Sequence, residues 1–138
     1  MVRRSLVLAA LIAAAACGKK PEPAKPSVPF KVQSADLGKS IGANKRILKP
    51  ATTFGPRDTI FAAIYTIGES KSVVMSATFK DAKGATLGEY SQTVATVGPA
   101  ATEFHISNAK GWPVGKYSVS LVAAGGGAPQ TLGYTVRK

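Results

Sequence analysis

Cys17 is the only cysteine of this 138-residue chain, and His105 is its only histidine. A thiolate or an imidazole can serve as nucleophile, proton carrier or metal ligand. A structural or catalytic metal site needs further ligands. No second Cys or His supplies them, so no metal and no cofactor are expected. Met1 and Met75 are the only methionines, which leaves no methionine-rich copper site, and Met75 is expected in the core. The carboxylates Asp36, Asp58, Glu69, Asp81, Glu89 and Glu103 are dispersed along the chain. A glycosidase-like pair forms in space rather than in sequence, but no spacing here points to one. Asp58, in Pro56-Arg57-Asp58-Thr59, is expected to close a turn by accepting a backbone N–H. No serine lies in a Gly-x-Ser-x-Gly elbow, and the glycines spell neither a P-loop nor a dinucleotide fingerprint. No catalytic signature emerges, and the expected protein is not an enzyme. Trp112, between Gly111 and Pro113, has two readings. It is a lid on the core edge with its indole N–H bonded to backbone or water, or an exposed anchor for a partner.

The segment around Cys17 explains the thiol better than catalysis does. Arg3 and Arg4 precede an apolar stretch at residues 6–12, and Ala14, Ala15 and Ala16 lead directly to Cys17. A membrane span needs about 20 apolar residues, so the stretch is too short to cross a bilayer. Its order of charge, apolar core and small residues is that of a secretory signal. An ordinary signal peptide cut within residues 13–16 would leave a free thiol. The arrangement resembles the lipobox of bacterial lipoproteins. That resemblance implies cleavage before Cys17, lipidation of its sulfur and a place in the cell envelope. Gly18 rather than Asp follows the Cys, so the resemblance implies the outer membrane, facing the periplasm or the cell surface. Two or three acyl chains would anchor such a protein stably, where one alone binds marginally.

The expected organisation is a signal peptide at 1–16, a lipidated Cys and flexible linker at 17–29, and one domain at 30–138. Residues 19–29 read KKPEPAKPSVP, a proline-rich extended spacer. With its only cysteine lipidated, the mature domain can form no internal disulfide and must rest on an apolar core. The net charge is +11, or +9 once Arg3 and Arg4 are removed, and most of the excess lies before residue 50. Lys19, Lys20, Lys45 and Arg46 are candidate contacts for anionic neighbours: phospholipid headgroups, lipopolysaccharide phosphates or peptidoglycan carboxylates. A solubilising tail is the plainer reading of the same residues. Nucleic acid is not expected, because aromatics do not interleave with the cations as a stacking surface requires.

From Phe30 onward the apolar period is two. Residues 60–67 (IFAAIYTI) form a long apolar strand. In 71–79, Val73, Met75, Ala77 and Phe79 share one face, with Val74 the exception on the other. Asp81-Ala82-Lys83-Gly84 predicts a turn. Residues 85–95 predict a strand bent near Gly88. Further strands follow at 101–106, 117–123 and 132–136, with residues 125–127 (GGG) a turn or loop. Residues 32–37 and 46–48 are weaker strand candidates. On the Phe104/Ile106 alternation His105 points outward. The expectation is an all-β fold, an immunoglobulin-like antiparallel β-sandwich, with a small barrel as the alternative. Gly115-Lys116-Tyr117 looks like a tyrosine corner, and Phe79 is placed to fill the core in the absence of a Trp on the third strand.

Residues 54–61 (FGPRDTIF), 104–106 (FHI) and 111–117 (GWPVGKY) together resemble a family of bacterial lipoproteins and envelope proteins with one immunoglobulin-like domain. The resemblance spans roughly 32–138. Its motifs describe turns and core positions, so it implies the fold and transfers no catalytic residue. The expected function is a lipid-anchored, non-catalytic binding or structural module. It would hold a protein partner or an anionic envelope polymer, with Trp112 and the Lys-rich segment as contacts. The alternatives are a periplasmic inhibitor or chaperone, which a long edge strand with few charges would favour, and a small envelope hydrolase.

Overall fold

A computed structural model describes residues 28–138. Cys17, Lys19 and Lys20 lie outside the described residues. Eight strands follow one another: β1 (Lys31–Gly38), β2 (Thr53–Phe54), β3 (Ile60–Ile67), β4 (Ser70–Asp81), β5 (Thr86–Thr96), β6 (Ala100–Ile106), β7 (Gly115–Ala123) and β8 (Gln130–Val136). They form a three-stranded sheet, β1-β3-β6, and a five-stranded sheet, β2-β8-β7-β4-β5. All pairings are antiparallel except that of the two-residue β2, which runs parallel to β8. The protein is thus all-β, with two sheets in a sandwich-like arrangement.

The period-two pattern dictates what lies between the sheets. Ile60, Ala62 and Ile64 of β3 meet Val73, Met75, Ala77 and Phe79 of β4 in one apolar cluster, with Val119 and Leu121 of β7. Met75 and Phe79 are fully buried. Full burial of such a side chain contributes roughly 1.5–3 kcal/mol. The exceptional Val74 is half exposed, on the opposite face. The predicted turn at 81–84 is closed twice. The Asp81 carbonyl accepts from Gly84 N–H, and the Asp81 carboxylate accepts from Lys83 and Ala85 N–H. The bend expected near Gly88 is an irregularity in the β4–β5 ladder, between Phe79 and Lys80.

Residues 46–48 differ from the expectation of a strand. They are the return arm of a hairpin at 39–49, joined to its other arm by the bridge Ile41 to Ile47 and by backbone hydrogen bonds, among them Leu48 N–H to the Ser40 carbonyl at 3.0 Å. The segment belongs to neither sheet because its partner arm is local and only a few residues long.

The strands define two poles. Val28 stands at one, the proximal pole, where its carbonyl accepts from Glu69 N–H and Pro29 bridges Glu69. Backbone from Pro29 passes so close to Gly68 that a side chain there would collide with it. The β3–β4 and β5–β6 turns share this pole. The distal pole holds the turn at 54–58, the 81–85 turn and the 107–114 loop. Among the described residues, Val28 and Pro29 already contact the sandwich.

Candidate functional site

The run IFAAIYTI gives β3 two apolar faces. Ile60, Ala62 and Ile64 face the core, and Ala63 and Tyr65 alternate with them on the opposite face. Yet Ala63 and Tyr65 are also buried, Tyr65 to 7% exposure. The hairpin at 39–49 covers them. Its base leaves the end of β1, where Lys39 N–H donates to the Lys49 carbonyl at 3.0 Å. It then doubles back across the outer face of the three-stranded sheet. Ile47 N–H donates to the Tyr65 hydroxyl at 3.1 Å. The Arg46 guanidinium carbon lies 4.9 Å from the centroid of the Tyr65 ring, a cation–π contact. The approach is close enough that a side chain at Gly38 would collide with Ile47 Cγ2 and the Lys49 carbonyl.

The tip has the form of a three-residue hairpin loop. Gly42 N–H bonds the Arg46 carbonyl at 2.9 Å, and Lys45 N–H bonds the Gly42 carbonyl at 3.0 Å. This geometry requires a left-handed residue, and Lys45 takes it with φ of 66°. It is the only non-glycine residue with positive φ among the described residues. A side chain in that region is strained relative to glycine. The hairpin therefore presents Lys45, Arg46 and Lys49 to solvent beside Leu48, which is 64% exposed. Among the described residues none of these three cations makes an ion pair. Lys39, at the base, pairs with Asp58 at 3.4 Å. β1 leads away from Val28, but the hairpin returns, and Tyr65 beneath Arg46 pairs with Ser34 in the proximal half of β1. The hairpin thus carries Arg46, with the adjacent Lys45, back over the outer face of this sheet.

The turn at 54–58 fixes the hairpin base. Asp58 N–H donates to the Gly55 carbonyl at 3.1 Å, and Gly55 N–H donates to the Asp58 carboxylate at 2.7 Å. The bond from Gly55 N–H holds the Asp58 carboxyl below its usual range; burial opposes it, and the Lys39 ammonium adds lesser lowering contributions. Asp58 plays the turn role expected of it.

Trp112 is in the core. The residue is 6% exposed, its indole N–H donates to the Asp58 carbonyl at 3.0 Å, and its backbone N–H donates to the Pro56 carbonyl at 2.7 Å. The indole is therefore not an exposed anchor. It closes the distal end of an aromatic row with Tyr117, Tyr134 and Phe54. The Tyr117 hydroxyl donates to the Pro113 carbonyl at 2.6 Å, the backward bond that a tyrosine corner makes.

His105 is exposed, as the alternation places it, and its Nδ1 bonds the Glu103 carboxylate. No catalytic set converges there. Ser91, which lines the same shallow hollow, pairs opposite Ser76 and alternates with the core-side Tyr90, so it belongs to the outer face of the other sheet. Among the described residues no three His, Cys, Asp or Glu side chains group to hold a metal.

Tyr65 as the platform for Arg46 was not anticipated from sequence. The signal was present: an uninterrupted apolar run marks a strand covered on both faces, and one sheet covers only one of them.

No family model matches the chain, and no curated protein matches it. The fold is similar to that of the C-terminal domain of wzt, with a TM-score of 0.51 at 12% identity, over 80% of this chain and 74% of that one. It is also similar to part of a β-glucosidase from Listeria innocua, solved in complex with gluconolactone. There the TM-score is 0.50 at 10% identity, over 82% of this chain and 16% of the glucosidase. At such identities the likeness concerns the fold alone.

Proposed function

We propose that this chain is a lipid-tethered, non-catalytic module of immunoglobulin-like type that holds an anionic polymer of the bacterial envelope on its 39–49 hairpin. The reading rests chiefly on one observation. Lys45, Arg46 and Lys49 are exposed on a single hairpin with no carboxylate partner among the described residues, and the hairpin is docked on the sheet through Tyr65. Cations held on a docked element lose less freedom on binding than cations on a free tail. Arg46 is oriented by its stacking, while Lys45 is held out by the left-handed turn. The tether would be the lipid on Cys17, and the tyrosine-corner bond of Tyr117 supports the immunoglobulin-like type. Peptidoglycan sacculi, rich in peptide carboxylates, test the reading by co-sedimentation. Lys45→Ala, Arg46→Ala and Lys49→Ala together are expected to abolish most binding at low salt, and added salt to abolish it in the wild type. Equal sedimentation of the triple variant would overturn the reading.

A second reading has its own observation. β5 is an 11-residue edge strand whose only charged residue is Glu89. Such an edge is suited to pairing with a strand of a partner protein, as an inhibitor or chaperone would pair. Pull-down of a stoichiometric, salt-resistant protein partner that Thr93→Pro abolishes would favour it over the polymer.

A further inference from the structure

The proximal pole carries an apolar feature that the core does not explain. Val97, at the tip of the β5–β6 turn, is 82% exposed, and Val28 beside the β3–β4 turn is 57% exposed. The two turns are tied together, since Thr96 Oγ1 donates to the Gly68 carbonyl at 3.4 Å. Lys31 and Lys71 are exposed at this end, with Glu69 the acid beside them. Arg46, above Tyr65, lies in the same half of the three-stranded sheet. Single exposed valines are ordinary on a protein surface. Their placement here is not, because residue 28 is where the chain arrives from Cys17.

We propose that the proximal pole is a membrane-contact surface, with Val97 and Val28 meeting the bilayer interface and the neighbouring cations meeting anionic headgroups. This rests on the anchoring of the proposed function, namely a lipid on Cys17. Tether length supports it. The eleven-residue step from Cys17 to Val28, drawn out as a proline-rich chain, spans about 34 Å. β4 alone, with 12 residues and so the same eleven steps, spans about 37 Å. A tether no longer than the sandwich must be drawn out fully for the domain to stand on its distal pole, which costs chain entropy. The same tether lets the proximal pole rest on the bilayer, and it keeps the local lipid concentration there high.

The test uses the full lipidated protein, in which a new cysteine would be the only free thiol. Val97→Cys at the proximal pole and Val114→Cys, an exposed valine in the distal 107–114 loop, are each labelled with a polarity-sensitive fluorophore. Both are reconstituted in vesicles of phosphatidylethanolamine and phosphatidylglycerol, three to one. The label at 97 is expected to shift to the blue, brighten severalfold, and be quenched by lipid-borne nitroxides but not by aqueous iodide. The label at 114 is expected to behave in the opposite way. Equal quenching at both sites, or shielding at 114, overturns the membrane-contact surface while leaving the anchor intact. Protein that fails to float with vesicles overturns the anchor, and this inference with it.

Discussion

Two buried aromatic residues at the distal end of the core make different contributions. Trp112 fills space and satisfies its N–H on the Asp58 carbonyl. Tyr134 stacks on Tyr117 at 5.4 Å, but its buried hydroxyl has no hydrogen-bond partner among the described residues. Burial also pushes the Tyr134 phenol well above its ordinary range, because the anion could not be solvated there. An unsatisfied buried polar group costs about 1–3 kcal/mol. Tyr134→Phe removes that cost and keeps the ring, so denaturant unfolding is expected to show unchanged or raised stability. Trp112→Ala removes a large buried side chain and orphans the Asp58 carbonyl, with an expected loss of about 3–5 kcal/mol. Thermal unfolding checks it. A midpoint within a few degrees of wild type would return Trp112 to the surface.

The hairpin at 39–49 shows function and stability pulling apart within one element. Lys45 adopts a left-handed conformation that glycine takes without strain. Lys45→Gly is therefore expected to leave stability unchanged or raise it by up to about 1 kcal/mol, while weakening binding to sacculi by loss of a cation. A variant that lost stability would show that the lysine stem packs on the hairpin in a way that outweighs the strain. Arg46 was legible as a cation in the sequence. Its seat on Tyr65 was not, because the two are distant in sequence and meet only when the hairpin folds back over β3.

At the scale of the whole molecule, charge is in excess. The chain carries +11 at pH 7, and among the described residues the ion pairs are Lys39–Asp58 and, when the imidazole is protonated, His105–Glu103. Both are at the surface, where such pairs add little. Mutual repulsion among the remaining cations then opposes compaction. Raising sodium chloride from about 10 mM to about 150 mM, which shortens the screening length from about 30 to about 8 Å, is expected to raise the thermal midpoint. A fall would mean that attractive pairs dominate.

The sequence by itself determined the all-β class, the positions of the long strands, the turn at 81–84 and the burial of Met75 and Phe79. Each follows from local rules: the period of two, turn chemistry and apolar alternation act over a few residues and need no knowledge of partners. Tertiary structure alone decided that Trp112 is core and that the 39–49 hairpin folds back so that Arg46 stacks on Tyr65. It also decided that Val28 and Val97 share one pole. Those outcomes depend on contacts between segments 10 to 70 residues apart, set by which strands pair and where the hairpin folds, and no local pattern encodes them.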